Sequence, residues 1–490
     1  MADEIKIVGV IGAGTMGMGI CEVAAANDCR VLVYDIDESF ARKSHDALSS
    51  RLKKRVINGK ITQEQADNIV QAVKVVKSLD DFLVCDLVVE AVIENLEIKK
   101  QIFQQLESIV SENTLLSTNT SSISVTAIAA ALQAPSRLFG LHFFNPAPVM
   151  KLVEIIKGLK TDDVHVQQAK KLCKRWGKIP VVANSTPGFI VNRVARPYYG
   201  EALKMYQEQM ASAIHIDTVM SKGAGFRMGP FELMDLIGID VNFAVSQTVF
   251  REMYNDPRYK PSLLQGEMVH ANLLGRKTGI GFYPYDGGVK TTKADYLHSD
   301  AKFDQFIVPD DMTLLSRMFS EFEYDQRKWQ GDKIIISGCQ LLLSNGLTAK
   351  QIEQSDGMPT CLVDLSFDFM KAECVNLVFS PKVDVFMKNR IVALINHIGK
   401  DVLESQDQPG MIATRTLAML INEAADAVFN GVCDADDVDL AMKYGVNYPK
   451  GLLSFATELG WQHVANILEN LQCWFGDDRY RLSPYIRNQL

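Results

Sequence analysis

Ile5 to Ile11 reads as a buried strand, and Gly12-Ala13-Gly14-Thr15-Met16-Gly17 follows it with no spacer. A helical pattern runs on over 16–27, and a second strand at 31–34 ends on Asp35. No other stretch narrows the fold as far, because each glycine has a separate backbone task. Gly12 permits a tight turn, Gly14 lets the main chain approach a pyrophosphate, and Gly17 lets helix and strand pack closely. Thr15 and Met16 open the helix, whose free N–H groups and dipole favour a negative ligand. Asp35 stands eighteen residues past the last glycine, where an acid bonds both ribose hydroxyls of an adenosine and repels a 2′-phosphate. A lone Gly-x-Gly-x-x-Gly is weak; framed by strand, helix and acid it predicts a dinucleotide site, with NAD favoured over NADP.

The pattern then continues as α/β, with helices over 38–56, 63–73 and 96–110 and strands near 87–89, 115–116 and 178–183. Asn119-Thr120-Ser121-Ser122 falls just past the strand at 115–116. Ligands of open parallel sheets bind beyond the carboxyl ends of strands, although such polar clusters also serve as plain turns and helix caps. A Rossmann-type domain over 1–184 follows.

Composition removes several classes of function. A net charge of −8 over 490 residues argues against nucleic-acid partners and anionic membrane surfaces. Nine cysteines, odd in number and none spaced Cys-x-x-Cys, suit reduced thiols better than disulfides or a metal site. Residues 1–6 are acidic and lead into a strand, and no apolar run approaches the roughly 20 residues of a membrane span. A cytoplasmic protein without signal peptide or metal is expected.

A second feature lies at Leu141-His142-Phe143-Phe144-Asn145-Pro146-Ala147-Pro148. The prolines keep the preceding residues out of helix, and 152–156 then alternates as a strand carrying Glu154. A hairpin-like return brings Glu154 beside His142, and a carboxylate there fixes the tautomer of a proton-abstracting imidazole. Taken alone, the two residues read more readily as a satisfied core histidine and an unrelated strand glutamate.

Beyond Thr186-Pro187-Gly188-Phe189 the pattern becomes all-helical, over 193–210, 216–222, 231–249 and 263–274. Here the separated motifs converge: Gly12 to Gly17, Glu94-Asn95, Asn119 to Ser122, His142 to Pro146, Pro187 to Arg193, Gly229-Pro230-Phe231-Glu232-Leu233 and Lys277-Thr278-Gly279. Together, over residues 5 to about 283, they resemble the 3-hydroxyacyl-CoA dehydrogenase family. The resemblance implies NAD-dependent oxidation of the 3-hydroxyl of a (3S)-3-hydroxyacyl-CoA. It implies His142 as base, Glu154 as its partner, and Asn192 and Ser121 as donors to the reacting oxygen or thioester. It places cofactor contacts on Asp35, Glu94, Lys99, Ser121, Asn145 and Lys277, beside the glycine loop. Lys54 matches a lysine of the family that meets CoA, although its basic run, Arg51, Lys53, Lys54 and Arg55, also reads as a solvated helix face.

The rest of the chain is a duplication. A shift of 222 residues carries Pro187-Gly188 onto Pro409-Gly410, Arg193 onto Arg415, Glu201-Ala202 onto Glu423-Ala424, Gly229 onto Gly451 and Gly238 onto Gly460. Domains are therefore expected at 1–184, 185–287, 288–405 (a linker and reduced Rossmann-like segment without the glycine motif) and 406–490, a second helical copy. The same shift puts Asp364 at His142, Asn376 at Glu154 and Thr414 at Asn192, so one active site is expected. Short members of the family pair through their helical domains, which implies an intrachain pseudo-dimer here and leaves a homo-oligomer open. The long form resembles enzymes acting on short or dicarboxylic chains, 3-hydroxybutyryl-CoA or 3-hydroxyadipyl-CoA, in fatty-acid or aromatic-acid catabolism. Free 3-hydroxy-acid dehydrogenases share the fold but use a lysine, and a crystallin-like relative would have no need of His142, Glu154 and Asn192.

Overall fold

The computed structural model describes residues 5–287, 289–290, 292–302, 314–319 and 334–490. Part of the segment expected over 288–405 thus lies outside the described residues. The chain forms two compact units, Met1–Arg193 with Asn430–Val446, and Val194–Phe429 with Asn447–Leu490.

The first unit is built on eight strands: β1 (Ile7–Ile11), β2 (Arg30–Tyr34), β3 (Val73–Val75), β4 (Leu87–Glu90), β5 (Leu115–Thr118), β6 (Leu138–Phe143), β7 (Leu152–Lys157) and β8 (Ile179–Asn184). They lie in the order β3-β2-β1-β4-β5-β6-β7-β8. Every neighbouring pair is parallel except β6 and β7. The strand order reverses at β1 and β4, which puts the glycine loop at the switch point of a doubly wound sheet. Helices cover both faces. Thr15–Ala25, Glu38–Ile57 and Asp163–Arg175 pack into one apolar cluster with Val8, Val31 and Val153, and Leu96–Ile109 and Val125–Ala129 into another with Val88 and Leu116. Burial on both faces explains why the strands read as near-continuous apolar runs.

The edge strand β8 is covered by a segment from 250 residues further on. Asn184 N–H donates to Val432 O at 2.8 Å, its side chain to Gly431 O at 2.6 Å, and Val182 N–H to Asp437 Oδ2 at 2.9 Å. The helix Ala435–Gly445 packs there against β7 and β8. Residues 406–490 therefore do not stay together; 430–446 belongs with the first unit.

The second unit holds a small hairpin, β9 (Tyr285–Asp286) with β10 (Val289–Lys290), and a five-stranded sheet. The sheet comprises β11 (Ile334–Ile336), β12 (Cys339–Leu343), β13 (Thr360–Val363), β14 (Cys374–Phe379) and β15 (Asp401–Glu404), in sequence order. Its β12 to β15 pair parallel, antiparallel and parallel, as β5 to β8 do. The 222-residue shift carries Leu152–Lys157 onto Cys374–Phe379. Among the described residues, the reduced Rossmann sheet thus repeats the four last strands of the first sheet and omits the nucleotide-binding half.

The helices of both copies meet inside this unit, Arg196–Gln207 lying along Ala413–Phe429. Buried Glu201 of the first copy accepts from Arg479 at 3.0 Å and from Tyr480 Oη at 2.9 Å. Buried Glu423 of the second faces Arg258 at 3.5 Å and accepts from Tyr259 Oη at 2.6 Å. Arg258-Tyr259 and Arg479-Tyr480 are themselves matched, 221 residues apart. Each glutamate is met by the other copy's Arg-Tyr pair. Arg415 adds 2.8 Å to Glu201 and 2.6 Å to Glu208.

The expected helix over 231–249 is broken. Gly238 takes a φ of 100° and ends Pro230–Ile237, and Ile239–Glu252 leaves at 100° to it. Gly460 does the same in the copy with a φ of 95°. These two matched glycines serve a positive-φ turn that side-chain-bearing residues rarely adopt. Gly229 does serve packing, since a Cβ there would lie 2.4 Å from Cα of Asp217. No single helix among the described residues is long and apolar enough to cross a membrane.

Candidate active site

The glycine loop fits a dinucleotide pyrophosphate. Gly12 has a φ of 99°, and a Cβ on it would lie 2.5 Å from Ala91 O; one on Gly17 would lie 1.8 Å from Gly12 O. A Cβ on Gly14 would meet nothing within 4 Å. Gly12 and Gly17 are therefore demanded by packing, whereas Gly14 faces open space where a ligand can approach. Gly14 caps the helix Thr15–Ala25 and no side chain closes that end, which leaves first-turn amides for an anion. Asp35, at the end of β2, accepts from Ala13 N–H at 2.8 Å and so holds the loop it would share with a ribose.

The turn after β5 is organised by Glu94. Its carboxylate accepts from Thr120 Oγ1 at 2.6 Å, Ser121 N at 3.0 Å, Ser122 N at 3.1 Å and Ser122 Oγ at 2.9 Å. Burial would raise this carboxyl, but the Lys99 ammonium at 3.3 Å and the hydroxyl donors outweigh it and keep the group below its ordinary value. Lys99 is 1% exposed, with its ammonium 2.6 Å from fully buried Glu90. As placed, its ammonium is shared between Glu90 and Glu94. Asn119 Oδ1 accepts from Phe143 N–H at 2.9 Å and ties this turn to the end of β6.

The β6–β7 register sets His142 opposite Glu154, with Nδ1 and Oε2 2.6 Å apart. His142 is 6% exposed, with Phe144 and Phe189 beside the ring at centroid separations of 4.6 and 5.9 Å. Nδ1 is committed to Glu154, and Nε2 is the nitrogen left for chemistry. Glu154 Oε1 accepts from both Ile190 and Val191 N–H at 3.0 Å. One buried carboxylate therefore holds the imidazole and also the start of the helix Val191–Val194, which carries Asn192. That second contact had no sequence signal, because backbone amides leave none.

Asn145 lines a groove of about 740 Å³ with Gly14, Thr15 and Gly19. Lys54 is exposed and is not on its wall; Arg51, Arg55 and Lys60 are, together with buried Glu22. The spacing of Arg51 and Arg55, four apart on one helix face, was the only sign of this. Lys277 belongs to the second unit, where its ammonium lies 2.5 Å from Asp240.

A glycine loop at the switch point of a doubly wound sheet, with a histidine–carboxylate pair on the same sheet, defines an NAD-dependent oxidoreductase. Comparison with known proteins narrows this. The 3-hydroxyacyl-CoA dehydrogenase NAD binding domain matches residues 7–186. The C-terminal domain of the same family matches 188–285 and again 410–489. The 3-hydroxybutyryl-CoA dehydrogenase reduced Rossmann-fold domain matches 341–409. The chain is 42% identical over 489 residues to 3-hydroxyadipyl-CoA dehydrogenase of Escherichia coli (strain K12), covering 100% of this chain and 98% of that one. It is 40% identical over 277 residues to 3-hydroxybutyryl-CoA dehydrogenase of Clostridioides difficile, covering 56% of this chain and 98% of the relative. The crystal structure of 3-hydroxybutyryl-CoA dehydrogenase from Escherichia coli K12 superposes with a TM-score of 0.89 at 41% identity, covering 99% and 98% of the two chains. The chain belongs to the 3-hydroxyacyl-CoA dehydrogenase family.

Proposed function

We propose that the chain oxidises the 3-hydroxyl of a short or dicarboxylic (3S)-3-hydroxyacyl-CoA, of the 3-hydroxybutyryl or 3-hydroxyadipyl type, to the 3-oxo thioester. The observation that carries this reading is the 2.6 Å contact of His142 Nδ1 with Glu154. Bound NAD supplies the hydride acceptor. His142 Nε2 takes the hydroxyl proton, and Glu154 stabilises the imidazolium that forms. Asn192 and Ser121 donate to the oxygen as it becomes a carbonyl and hold it in reacting geometry. In the reverse direction His142 returns the proton to that oxygen. The test is NADH formation with 3-hydroxybutyryl-CoA, 3-hydroxyadipyl-CoA and free 3-hydroxybutyrate. Turnover of the free acid alone would overturn the reading in favour of a 3-hydroxy-acid dehydrogenase, and no turnover of any would favour a non-catalytic relative.

We also read the second unit as an internal pseudo-dimer of the two helical copies. The exchanged Glu201/Arg479-Tyr480 and Glu423/Arg258-Tyr259 contacts support this. Nine cysteines, none in a disulfide, support a reducing cytoplasmic setting.

A further inference from the structure

Gly445 closes the helix Ala435–Gly445, is buried, and has a φ outside the left-handed region. Glycine weakens a helix relative to alanine, so the backbone gives no reason for it here. The reason is space. A Cβ on Gly445 would lie 2.6 Å from Leu152 Cδ2 and 3.0 Å from Val191 Cγ2, and both of those side chains are buried. Leu152 stands on β7 two residues before Glu154 and shares its face. Val191 immediately precedes Asn192, and its N–H donates to Glu154 Oε1 at 3.0 Å. Val191 is thus held at its amide by the carboxylate that also holds His142, and at its side chain by this helix. The same segment comes near Glu154 itself, since burial, Asp437 and Glu154 push the Cys433 thiol up to about 12.

The copy supplies the comparison. The 222-residue shift matches Gly445 with Gly223, Leu152 with Cys374 and Val191 with Ala413. A Cβ on Gly223 would lie 3.4 Å from Cys374 O and 3.5 Å from its Sγ, ordinary contact distances. Val219 comes next, and Ala413 is not among the three nearest neighbours. The tight fit against the turn before Asn192 belongs to the half that carries His142 and is relaxed in the half without it.

We propose that Gly445 is a positioning residue of the active site: the helix it closes, lent by the second copy, sets Val191 and through it Asn192 and Glu154. This rests on the reading of Asn192 as a donor to the reacting oxygen of an acyl-CoA. A side chain at 445 shifts Val191 away from the Glu154 oxygen and Asn192 away from the substrate, and small misplacements of such groups cost rate steeply. The copy's own vestigial site takes no part. β1, which leads into the glycine loop, lies four strands from β7, so NAD binding is spared.

The test is steady-state kinetics of the full chain with an acyl-CoA and NAD, at a temperature where each variant is folded. Gly445→Ala should lower kcat about tenfold and leave KM for NAD within about twofold. Val191→Ala loosens the same contact without adding volume, and should lower kcat about threefold even if the first variant fails to fold. The double variant should match Val191→Ala alone, because the added methyl then has room. Gly223→Ala, the matched change in the copy, should leave kcat within about twofold. A lower Tm with kcat unchanged in both Gly445→Ala and Val191→Ala would make the contact merely structural and overturn the proposal. Additive losses in the double variant, or an equal loss in Gly223→Ala, would also overturn it. Failure of the unaltered protein to oxidise any 3-hydroxyacyl-CoA would overturn the acyl-CoA reading and this inference with it, and is told apart because it precedes any substitution.

Discussion

Glu154 and Asp364 perform the same backbone task from opposite strands. In the first half, Glu154 on β7 accepts from the amides of Ile190 and Val191 and gives its other oxygen to His142 on β6. In the second half, Asp364 stands just past β13, where His142 stands in the first, and accepts from Ile412 at 3.0 Å and Ala413 at 2.9 Å. Those are the same two amides, 222 residues on. Asn376 occupies the Glu154 position and donates to Asp364 at 3.0 Å. Anchoring that turn is a requirement of the fold, and a carboxylate on either strand meets it. Only when the carboxylate comes from the second strand of the pair is the first free to carry an imidazole. The copy has taken the other solution, and among the described residues it also lacks the four strands that would bind a dinucleotide.

The largest expected effect tests whether the second half is needed at all. A chain ending near residue 287 loses both the cover of β8 and the partner of its helical domain, and should dimerise, aggregate or melt lower. A soluble, active monomer with unchanged Tm would break the comparison. Next is Glu201→Ala, which leaves Arg415 and Arg479 facing each other and should cost about 3–5 kcal/mol in denaturant unfolding. Burial would raise the Glu201 carboxyl, but Arg479 and Arg415 outweigh it and hold it below the usual range. A depressed folded-state pKa stabilises above the unfolded value of about 4.3 and is lost as pH falls through the folded one. The deficit of the variant should therefore shrink below about pH 4, and a deficit independent of pH would contradict the ion-pair account.

His142→Gln should lower kcat at least about 100-fold, some 3 kcal/mol, with NAD affinity nearly unchanged. The matching change in the copy, Asp364→Asn, should leave kcat alone and lower stability by about 1–3 kcal/mol through its weakened amide contacts. Loss of turnover in that variant at a temperature where it stays folded would show the copy is not idle. The smallest effect is at Asp35. The unaltered protein should prefer NAD, and Asp35→Ser with an arginine introduced nearby should move preference toward NADP. Equal use of both by the unaltered protein would remove Asp35 from the argument.

Much of this was legible in the residues because glycine, proline and histidine announce themselves. Gly12, Gly14 and Gly17 marked the β1 turn, and the 222-residue shift exposed the duplication. Glu154 was found by alternation, although β7 is buried on both faces and the alternation says nothing about exposure there. Three things were hidden. The shift shows which segments correspond, not which copy each packs on, so the move of 430–446 to the first unit was invisible. Gly238 and Gly460 were visible as a matched pair, but their helix-breaking turn was not, because a sequence pattern does not display φ. Glu22, on a helix whose neighbours are apolar, carried no pattern at all until Arg51 and Arg55 were seen on it.

The cover on β8 has a consequence for how the chain is made. Translation runs from the N-terminus, and domains generally fold as they emerge. Here the sheet that holds the glycine loop and His142 is finished only when residues 430–446 arrive, after most of the 490 have been synthesised. Until then β8 is an open sheet edge, with the amides of Val182 and Asn184 unsatisfied by the partners they later acquire. From the completion of β8 at residue 184 to the arrival of residue 430, about half of its synthesis, the nascent protein thus carries an exposed strand edge. A ribosome-bound intermediate stalled before residue 430 should be far more susceptible to protease and to chaperone capture than one stalled past 446.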